Sequence, residues 1–121
     1  MKAVLDTNIL VDYLNGVVAA KTEIARYERP LISLITWMEV LVGAEHTDDQ
    51  RLLTSFLHRF QTAAIDVAVA EHAVALRRQR RVRLPDAIIW ATARRHDCLL
   101  VTRNTRDFPT DDPSVRVPYR L

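Results

Sequence analysis

The sequence predicts an α/β protein, a three-layer α/β/α sandwich around a central, mostly parallel sheet. Short apolar runs alternate along the chain with segments of helical periodicity. Each run is continuously apolar, as strands buried on both faces are. The chain has 121 residues, of which 49% are hydrophobic and 26% charged, which suits a folded protein with one core. We therefore expect residues 1–121 to form a single domain.

The first half of the chain contains two predicted strands and four predicted helices. Short apolar runs predict strands over 3–5 and 31–33. Apolar residues at helical spacing predict helices over 8–15, 18–27, 36–44 and 48–60. Gly16 and Pro30 stand where the first two helices should end, and Asp48 is the predicted N-cap of the fourth.

The second half contains three predicted strands and two predicted helices. Apolar runs predict strands over 62–65, 98–102 and 115–117. A helix rich in alanine, valine and leucine is predicted over 67–81, and another over 85–96, where Pro85 occupies the first turn that proline favours. Strands and helices therefore alternate to the end of the chain, without an internal repeat or a domain boundary.

The basic residues are distributed unevenly. The net charge is only +2, but all except two of the 17 basic residues are arginine, which binds phosphate and carboxylate bidentately. The densest cluster is Arg77, Arg78, Arg80, Arg81 and Arg83. It has two interpretations: a solvated helix end that complements the helix dipole, or a surface that contacts nucleic acid or an acidic partner.

Other features indicate the compartment. The lone Cys98 excludes an internal disulfide and is typical of a reducing environment. Its apolar neighbours predict a buried small side chain rather than a reactive thiol. No run is apolar over a membrane-spanning length, and the N-terminus meets a charge too early for a signal peptide. We therefore expect a cytoplasmic protein with no membrane contact.

Four acidic residues stand at or near the ends of apolar runs: Asp6, Glu39, Asp86 and Asp107. Burying a carboxylate is unfavourable unless it is paired or bound to a cation. Asp6 and the segment 102–107 both follow predicted strands, and the carboxyl ends of parallel strands are where sites form in α/β sheets. The sequence therefore predicts that several carboxylates meet in one cleft.

Each acid also has a purely structural interpretation. Asp6 is a possible N-cap of the next helix, Glu39 an exposed helical residue, and Asp86 a first-turn acid favoured by the helix dipole. If the acids do converge, hard oxygen ligands of this kind suit Mg²⁺ or Mn²⁺ rather than zinc. The four histidines show no ligand spacing, and the chain has neither a glycine-rich phosphate loop nor a nucleophile elbow.

Four motifs resemble those of the PIN-domain ribonucleases, specifically the VapC-type toxins of bacterial toxin–antitoxin pairs. The resemblance extends over essentially the whole chain. The motifs are Val4-Leu5-Asp6-Thr7-Asn8, Ser33 followed by Glu39, Leu84-Pro85-Asp86-Ala87 with Ile89, Ala91 and Ala93, and Val101-Thr102-Arg103-Asn104 with Asp107-Phe108.

The resemblance implies a PIN-like fold and a Mg²⁺-dependent endoribonuclease. Asp6 and Asp86 would be the principal metal ligands, and Glu39 and Asp107 would complete the acidic cluster. Family members differ in whether the fourth acid matches position 104 or 107; position 104 is asparagine here, so Asp107 takes that role. Supporting residues would orient ligands and water: Thr7, Asn8, Thr102 and Asn104. The resemblance also implies a homodimer and a small antitoxin that blocks the cleft.

An acidic cleft repels RNA unless basic side chains nearby hold the backbone. The candidates are the five clustered arginines, which lead directly into Asp86, and the two that flank the fourth motif: Arg77, Arg78, Arg80, Arg81, Arg83, Arg103 and Arg106. Contacts of this kind hold RNA in place without specifying its sequence.

Two other classes of protein are compatible with parts of the pattern. A phosphatase that used Asp6 as its nucleophile would need a second acid where Asn8 stands. A non-catalytic α/β module would use the acids as helix caps and the arginines to bind a partner or nucleic acid. Because the first three motif acids are all present, we favour metal-dependent RNA cleavage, in which the cation activates a water for attack on the phosphodiester.

Overall fold

The computed structural model describes residues 2–121, which form a five-stranded parallel sheet with helices on both faces. The strands are β1 Ala3–Leu5, β2 Leu31–Ser33, β3 Gln61–Ala63, β4 Leu99–Val101 and β5 Val115–Arg116. Their spatial order is β3-β2-β1-β4-β5, and each neighbouring pair is parallel. The predicted α/β/α sandwich is therefore confirmed. The chain builds outward in opposite directions from β1, so a crevice opens between β1 and β4 at their carboxyl ends.

Six helices lie within the described residues: α1 Thr7–Leu14, α2 Val18–Ala25, α3 Leu34–Val42, α4 Thr47–Leu57, α5 Val67–Arg80 and α6 Leu84–Arg95. All six were predicted from the sequence, with boundaries displaced by at most three residues. Over the same part of the chain, no helix combines the length and the hydrophobicity needed to cross a bilayer.

The starts of α3 and α4 show how capping shifts a helix boundary. The helix expected from residue 36 begins at Leu34, because the Ser33 side chain caps it by accepting a hydrogen bond of 3.2 Å from the Ile35 amide. The predicted cap Asp48 is wrong: the N-cap is His46, and Asp48 lies inside the first turn. An acid at that position still stabilises the helix through its dipole.

The core has two parts, one on each face of the sheet. Val4 and Leu100 point to the α5–α6 side, where Trp90 packs edge to face against Phe108. Residues that alternate with them, such as Leu5, point to the opposite side and pack against α1 and α4. Cys98 is buried in the first cluster, as predicted.

The C-terminal segment is attached to the second face by two buried acids. Glu23 on α2 binds the Arg116 guanidinium at 2.7 and 2.9 Å and accepts a hydrogen bond of 2.7 Å from Tyr27. Asp12 on α1 binds Arg103 in the same bidentate way and also accepts from Tyr119. Pairs of this geometry are the strong class of charge-assisted hydrogen bonds, and they hold residues 103–119 against α1 and α2.

Candidate active site

Asp6 lies at the carboxyl end of β1 and caps α1. Its Oδ1 accepts a hydrogen bond of 2.7 Å from the Thr7 amide. Its Oδ2 accepts 2.7 Å from the Thr102 hydroxyl and 3.2 Å from Asn8 Nδ2. The side chain is buried, so both interpretations of Asp6 hold together: it is a helix cap, and it is also a fixed carboxylate at the crevice between β1 and β4.

The environment of Asp6 is unfavourable for its charge. Burial raises the pKa of the carboxyl most, and the nearby carboxylates of Asp86 and Glu39 raise it further. Hydrogen bonds from Thr102 and the Thr7 amide oppose these effects, and the resulting pKa is about 6. A cation at this position would relieve the repulsion and the desolvation together.

Asp86 stands in the first turn of α6 and is 9% exposed. Its Oδ2 is buried, and no hydrogen-bond partner for it exists among residues 2–121. The nearest cation, Arg83 Nε, lies 3.5 Å from that oxygen. Burial raises the pKa of Asp86; Arg83 opposes this, whereas Asp107 and Glu39 add to it. Asp86 is therefore a buried carboxylate whose Oδ2 accepts no hydrogen bond from the described residues and is compensated only by the long ion pair with Arg83.

Glu39 lies on α3 and reaches the same cleft from the exposed side. Its Oε1 accepts a hydrogen bond of 2.7 Å from the Thr7 hydroxyl, which also lies 3.0 Å from the hydroxyl of Thr36. Thr36 is fully buried and was not among the predicted site residues. Its spacing of three residues from Glu39 places both on one face of the helix, a signal that sequence inspection could have used.

Asp107 does not line the cleft that contains the other three acids. It accepts a hydrogen bond of 2.9 Å from Asn104 Nδ2 and lies 3.9 Å from Arg83 Nη2. Asn104 Oδ1 in turn accepts the backbone amides of Arg106 and Asp107, and the Asn104 amide donates to Thr102 Oγ1. Asn104 therefore lines the cleft itself, whereas Asp107 borders the neighbouring cavity.

These side chains surround a cleft of about 300 Å³. It is lined by Asp6, Thr7, Asn8, Val11, Glu39, Arg83, Asp86, Arg103 and Asn104. The first three motif acids therefore line one cleft. Within the described chain, no three acidic, histidine or cysteine side chains are close enough to form a ready-made metal cage. Magnesium seldom uses such a cage, because it binds one or two carboxylates and retains several waters.

The predicted RNA-contacting arginines occupy three different environments. Arg77, Arg78, Arg81 and Arg106 are exposed, and the first three surround the C-terminal end of α5, where Arg81 adopts φ 55°. Arg80 lies over the Trp90 ring at 5.5 Å, and Arg83 lines the cleft.

Arg103 requires a correction to its predicted role. Its guanidinium is bound by Asp12 at 2.6 and 2.9 Å, so its charge is already neutralised by a buried partner. Its backbone amide donates to Asn8 Oδ1 at 3.2 Å. Arg103 therefore holds the site loop in place, and we no longer count it among the residues available for RNA phosphates. The sequence held no signal for this pair, because 91 residues separate the two side chains.

Comparisons with known proteins agree with this fold. The PIN domain profile matches residues 3–110. The chain is 37% identical over 115 residues to the protein named ribonuclease VapC10 of Mycobacterium tuberculosis, covering 87% of this chain and 84% of that protein. It is 31% identical over 119 residues to the protein of Shigella flexneri named tRNA(fMet)-specific endonuclease VapC, covering 89% and 90%.

A solved toxin–antitoxin complex from Klebsiella pneumoniae contains a chain 43% identical to this one, with a TM-score of 0.92 and coverage of 98% and 99%. The parallel sheet carries acids at its topological switch point, and the PIN domain profile matches most of the chain. The chain therefore belongs to the PIN-domain family. Its similarity to the two VapC relatives makes it a VapC-type member of that family.

The raised pKa of Asp6 predicts that Asp6→Asn stabilises the metal-free protein. A carboxyl whose pKa rises from 3.8 to about 6 on folding favours the folded state when protonated, so stability falls as pH rises through that window. The loss of folding stability caused by ionising Asp6 reaches its full value above about pH 6 and amounts to about 3 kcal/mol. We expect urea unfolding in EDTA at pH 7.5 to show Asp6→Asn more stable by about 1–3 kcal/mol.

The control for this prediction is the same comparison at pH 4, where wild-type Asp6 is largely protonated in the folded protein. The advantage of Asp6→Asn should shrink to a small value there. An equal advantage at both pH values, or a less stable variant at pH 7.5, would contradict the assignment of a raised pKa to Asp6.

Proposed function

We propose that this protein is a Mg²⁺-dependent endoribonuclease that acts as the toxin of a toxin–antitoxin pair. The observation that carries the proposal is the pair of buried carboxylates, Asp6 and Asp86, at the switch point of the sheet. The Oδ2 of Asp86, which accepts no hydrogen bond within residues 2–121, and the raised pKa of Asp6 both favour a cation between them. Perturbed carboxylates in a cleft are typical of catalytic sites.

The donors available in the cleft fit magnesium. Asp6 and Asp86 would be the principal ligands, with Glu39 at the exposed side and Asp107 acting through Asn104 and Arg83. All are hard oxygen donors, which suit Mg²⁺ and equally Mn²⁺. When bound, the cation would lower the pKa of a water and stabilise the charge on the phosphate oxygens during hydrolysis.

The protein's own residues would position this chemistry. Thr102 and the Thr7 amide hold both oxygens of Asp6, so that this carboxylate cannot rotate away from the cleft. The Thr7 hydroxyl fixes Glu39, and Asn8 connects Asp6 to the loop that follows β4. Such preorganisation matters because small displacements of reacting groups lower the rate strongly.

Arginines near the cleft would hold the RNA backbone. Arg83 lines the cleft itself, and the exposed Arg77, Arg78, Arg81 and Arg106 extend the positive surface around it. Arg80 lies on the Trp90 ring and contributes its charge from a fixed position. These contacts would be with phosphates, so they support binding without defining a cleavage sequence.

The direct test is RNA cleavage by the purified, antitoxin-free chain in Mg²⁺ and in EDTA. We expect cleavage of a structured RNA in Mg²⁺ and none in EDTA, with activity restored by adding back Mg²⁺ or Mn²⁺. Because water rather than the ribose 2′-hydroxyl is the nucleophile, the products should carry no 2′,3′-cyclic phosphate. The non-catalytic alternative predicts intact RNA in both conditions, and cleavage that persists in EDTA would contradict the role of the cation.

We also propose a small antitoxin as partner, in line with the toxin–antitoxin complex of the Klebsiella pneumoniae relative. The half-exposed Val11 lines the cleft, and Leu14 is exposed one turn further along α1. Exposed apolar side chains beside an acidic cleft would suit a protein that covers it. A homodimer and a cytoplasmic location complete the proposal.

A further inference from the structure

A second concave surface lies at the amino ends of the strands, whereas the cleft lies at their carboxyl ends. Two cavities of about 810 and 240 Å³ share Tyr27, Glu28, Pro30 and Arg59, next to the amino ends of β1, β2 and β3. We call them the basic groove, defined by the basic side chains that line it: Lys2, Lys21, Arg26, Arg29 and Arg59. Five basic residues and the acidic Glu28 give it a formal charge of +4, whereas the whole chain carries only +2.

The charges of the basic groove are largely uncompensated. Within residues 2–121, four of its members form no ion pair: Lys2, Lys21, Arg29 and Arg59. The fifth, Arg26, lies 3.7 Å from Glu23. That carboxylate is already bound bidentately by Arg116 at 2.7 and 2.9 Å, so it neutralises Arg26 only weakly.

One of these cations is held in a fixed position. The Arg59 guanidinium lies over the rings of Tyr13 and Phe56 at 5.5 and 5.7 Å and donates to the Tyr13 hydroxyl at 3.1 Å. Cation–π contacts orient an arginine without neutralising it. Less side-chain entropy is therefore lost when this residue binds an anion.

The lining of the groove distinguishes a nucleic acid from a protein as its ligand. The large aliphatic and phenylalanine side chains in it, Ile24 and Phe60, are buried, and across the described residues none of the large exposed hydrophobic side chains borders it. Protein interfaces depend on exposed aromatic and apolar anchors. Interfaces with nucleic acids are polar and strongly positive, and arginine matches the geometry of phosphate.

We infer that the basic groove binds the phosphodiester backbone of the RNA substrate at a distance from the cleavage site. This inference rests on the proposed function, and it adds a second contact that favours long RNAs. Each strand has three residues or fewer and spans about 10 Å, so an RNA must pass over a face of the protein to reach both edges of the sheet. An oligonucleotide shorter than that path cannot contact the cleft and the groove together.

The test compares the affinities of two RNAs for a variant of the groove. Lys21→Ser with Arg29→Ser removes two exposed, unpaired charges, and an Asp6→Asn background prevents cleavage. The probes are a labelled stem–loop of about 30 nucleotides and a single strand of about 4 nucleotides, at the lower end of the range of single-stranded binding sites. For the stem–loop, we expect the Kd to rise on the order of tenfold. The slope of log Kd against log salt concentration should fall by about one to two. The Kd for the short strand should not change.

The matched control is Arg95→Ser with Arg120→Ser, which removes two exposed arginines that do not line the groove. This variant should bind both RNAs as the Asp6→Asn protein does. Three outcomes would overturn the groove proposal but leave the proposed function standing. They are an unchanged stem–loop affinity in the groove variant, an equal loss of affinity for both RNAs, and an equal loss of affinity in the control variant. If the Asp6→Asn protein bound neither RNA, the proposed function would fail, and the groove proposal with it.

Discussion

An Asp86→Asn variant is expected to lose RNA cleavage by on the order of a thousandfold, because a ligand to a catalytic cation stabilises the transition state by several kcal/mol. Asparagine has nearly the same shape but carries no charge. Burial already disfavours the charge of Asp86 and raises its pKa, so we expect the variant to fold normally and to be at least as stable as wild type. The measurement is the single-turnover rate in Mg²⁺, with the melting temperature taken on the same preparation.

The matched control for Asp86 is Asp97→Asn, at the other end of α6. Asp97 is exposed and has φ 55°, a conformation that asparagine adopts readily. This variant loses the same charge just beyond the C-cap of that helix and should cleave RNA at the wild-type rate. Wild-type activity in Asp86→Asn, or an equal loss in Asp97→Asn, would contradict the role assigned to Asp86.

An Asp12→Ala variant is expected to lose about 2–3 kcal/mol of stability, because it removes one member of a buried ion pair and leaves the other unpaired. Asp12 accepts three hydrogen bonds, two from Arg103 and one of 2.8 Å from Tyr119. The side chain of Arg103 is 33% exposed, so water compensates part of the loss and the lower end of the usual range applies. The midpoint of urea unfolding measures the effect.

The pH dependence of this pair has the opposite sign to that of Asp6. Burial raises the pKa of Asp12, but the hydrogen bonds from Arg103 and Tyr119 outweigh it and hold the pKa below its ordinary value. The stabilisation is therefore complete above about pH 4 and is lost as the pH falls through the lower folded pKa. Glu71→Ala, which removes an exposed acid, should leave stability nearly unchanged. If Asp12→Ala unfolded at the same midpoint as Glu71→Ala, the pair would have no structural role.

Local signals predicted most of the fold. Continuous apolar runs identified Ala3–Leu5 and Leu31–Ser33 at the boundaries that the structure has, because strands buried on both faces are mostly apolar. Proline in its first turn helped to identify Leu84–Arg95. The cap of Thr47–Leu57 was missed, because serine, threonine and aspartate occur both at caps and within the first turn.

The convergence of the acids was predictable, but the way they are held was not. Strand ends in a parallel sheet lie at one edge, so Asp6 and the segment after β4 had to be neighbours. The hydrogen bond from Thr102 to Asp6 spans 96 residues, and that from Tyr119 to Asp12 spans 107. No periodicity or spacing in a single sequence encodes such contacts, and the neutralised Arg103 was therefore assigned to RNA.

The most direct test of the central claim is the single-turnover rate of RNA cleavage against Mg²⁺ concentration for wild type and Asp6→Asn. If the acidic cleft holds the catalytic cation, wild type should show no cleavage in EDTA and a rate that saturates with Mg²⁺. Asp6→Asn, although stably folded, should remain inactive at every concentration. Equal Mg²⁺-dependent cleavage by the two proteins would contradict the claim that this cleft is the site of RNA hydrolysis.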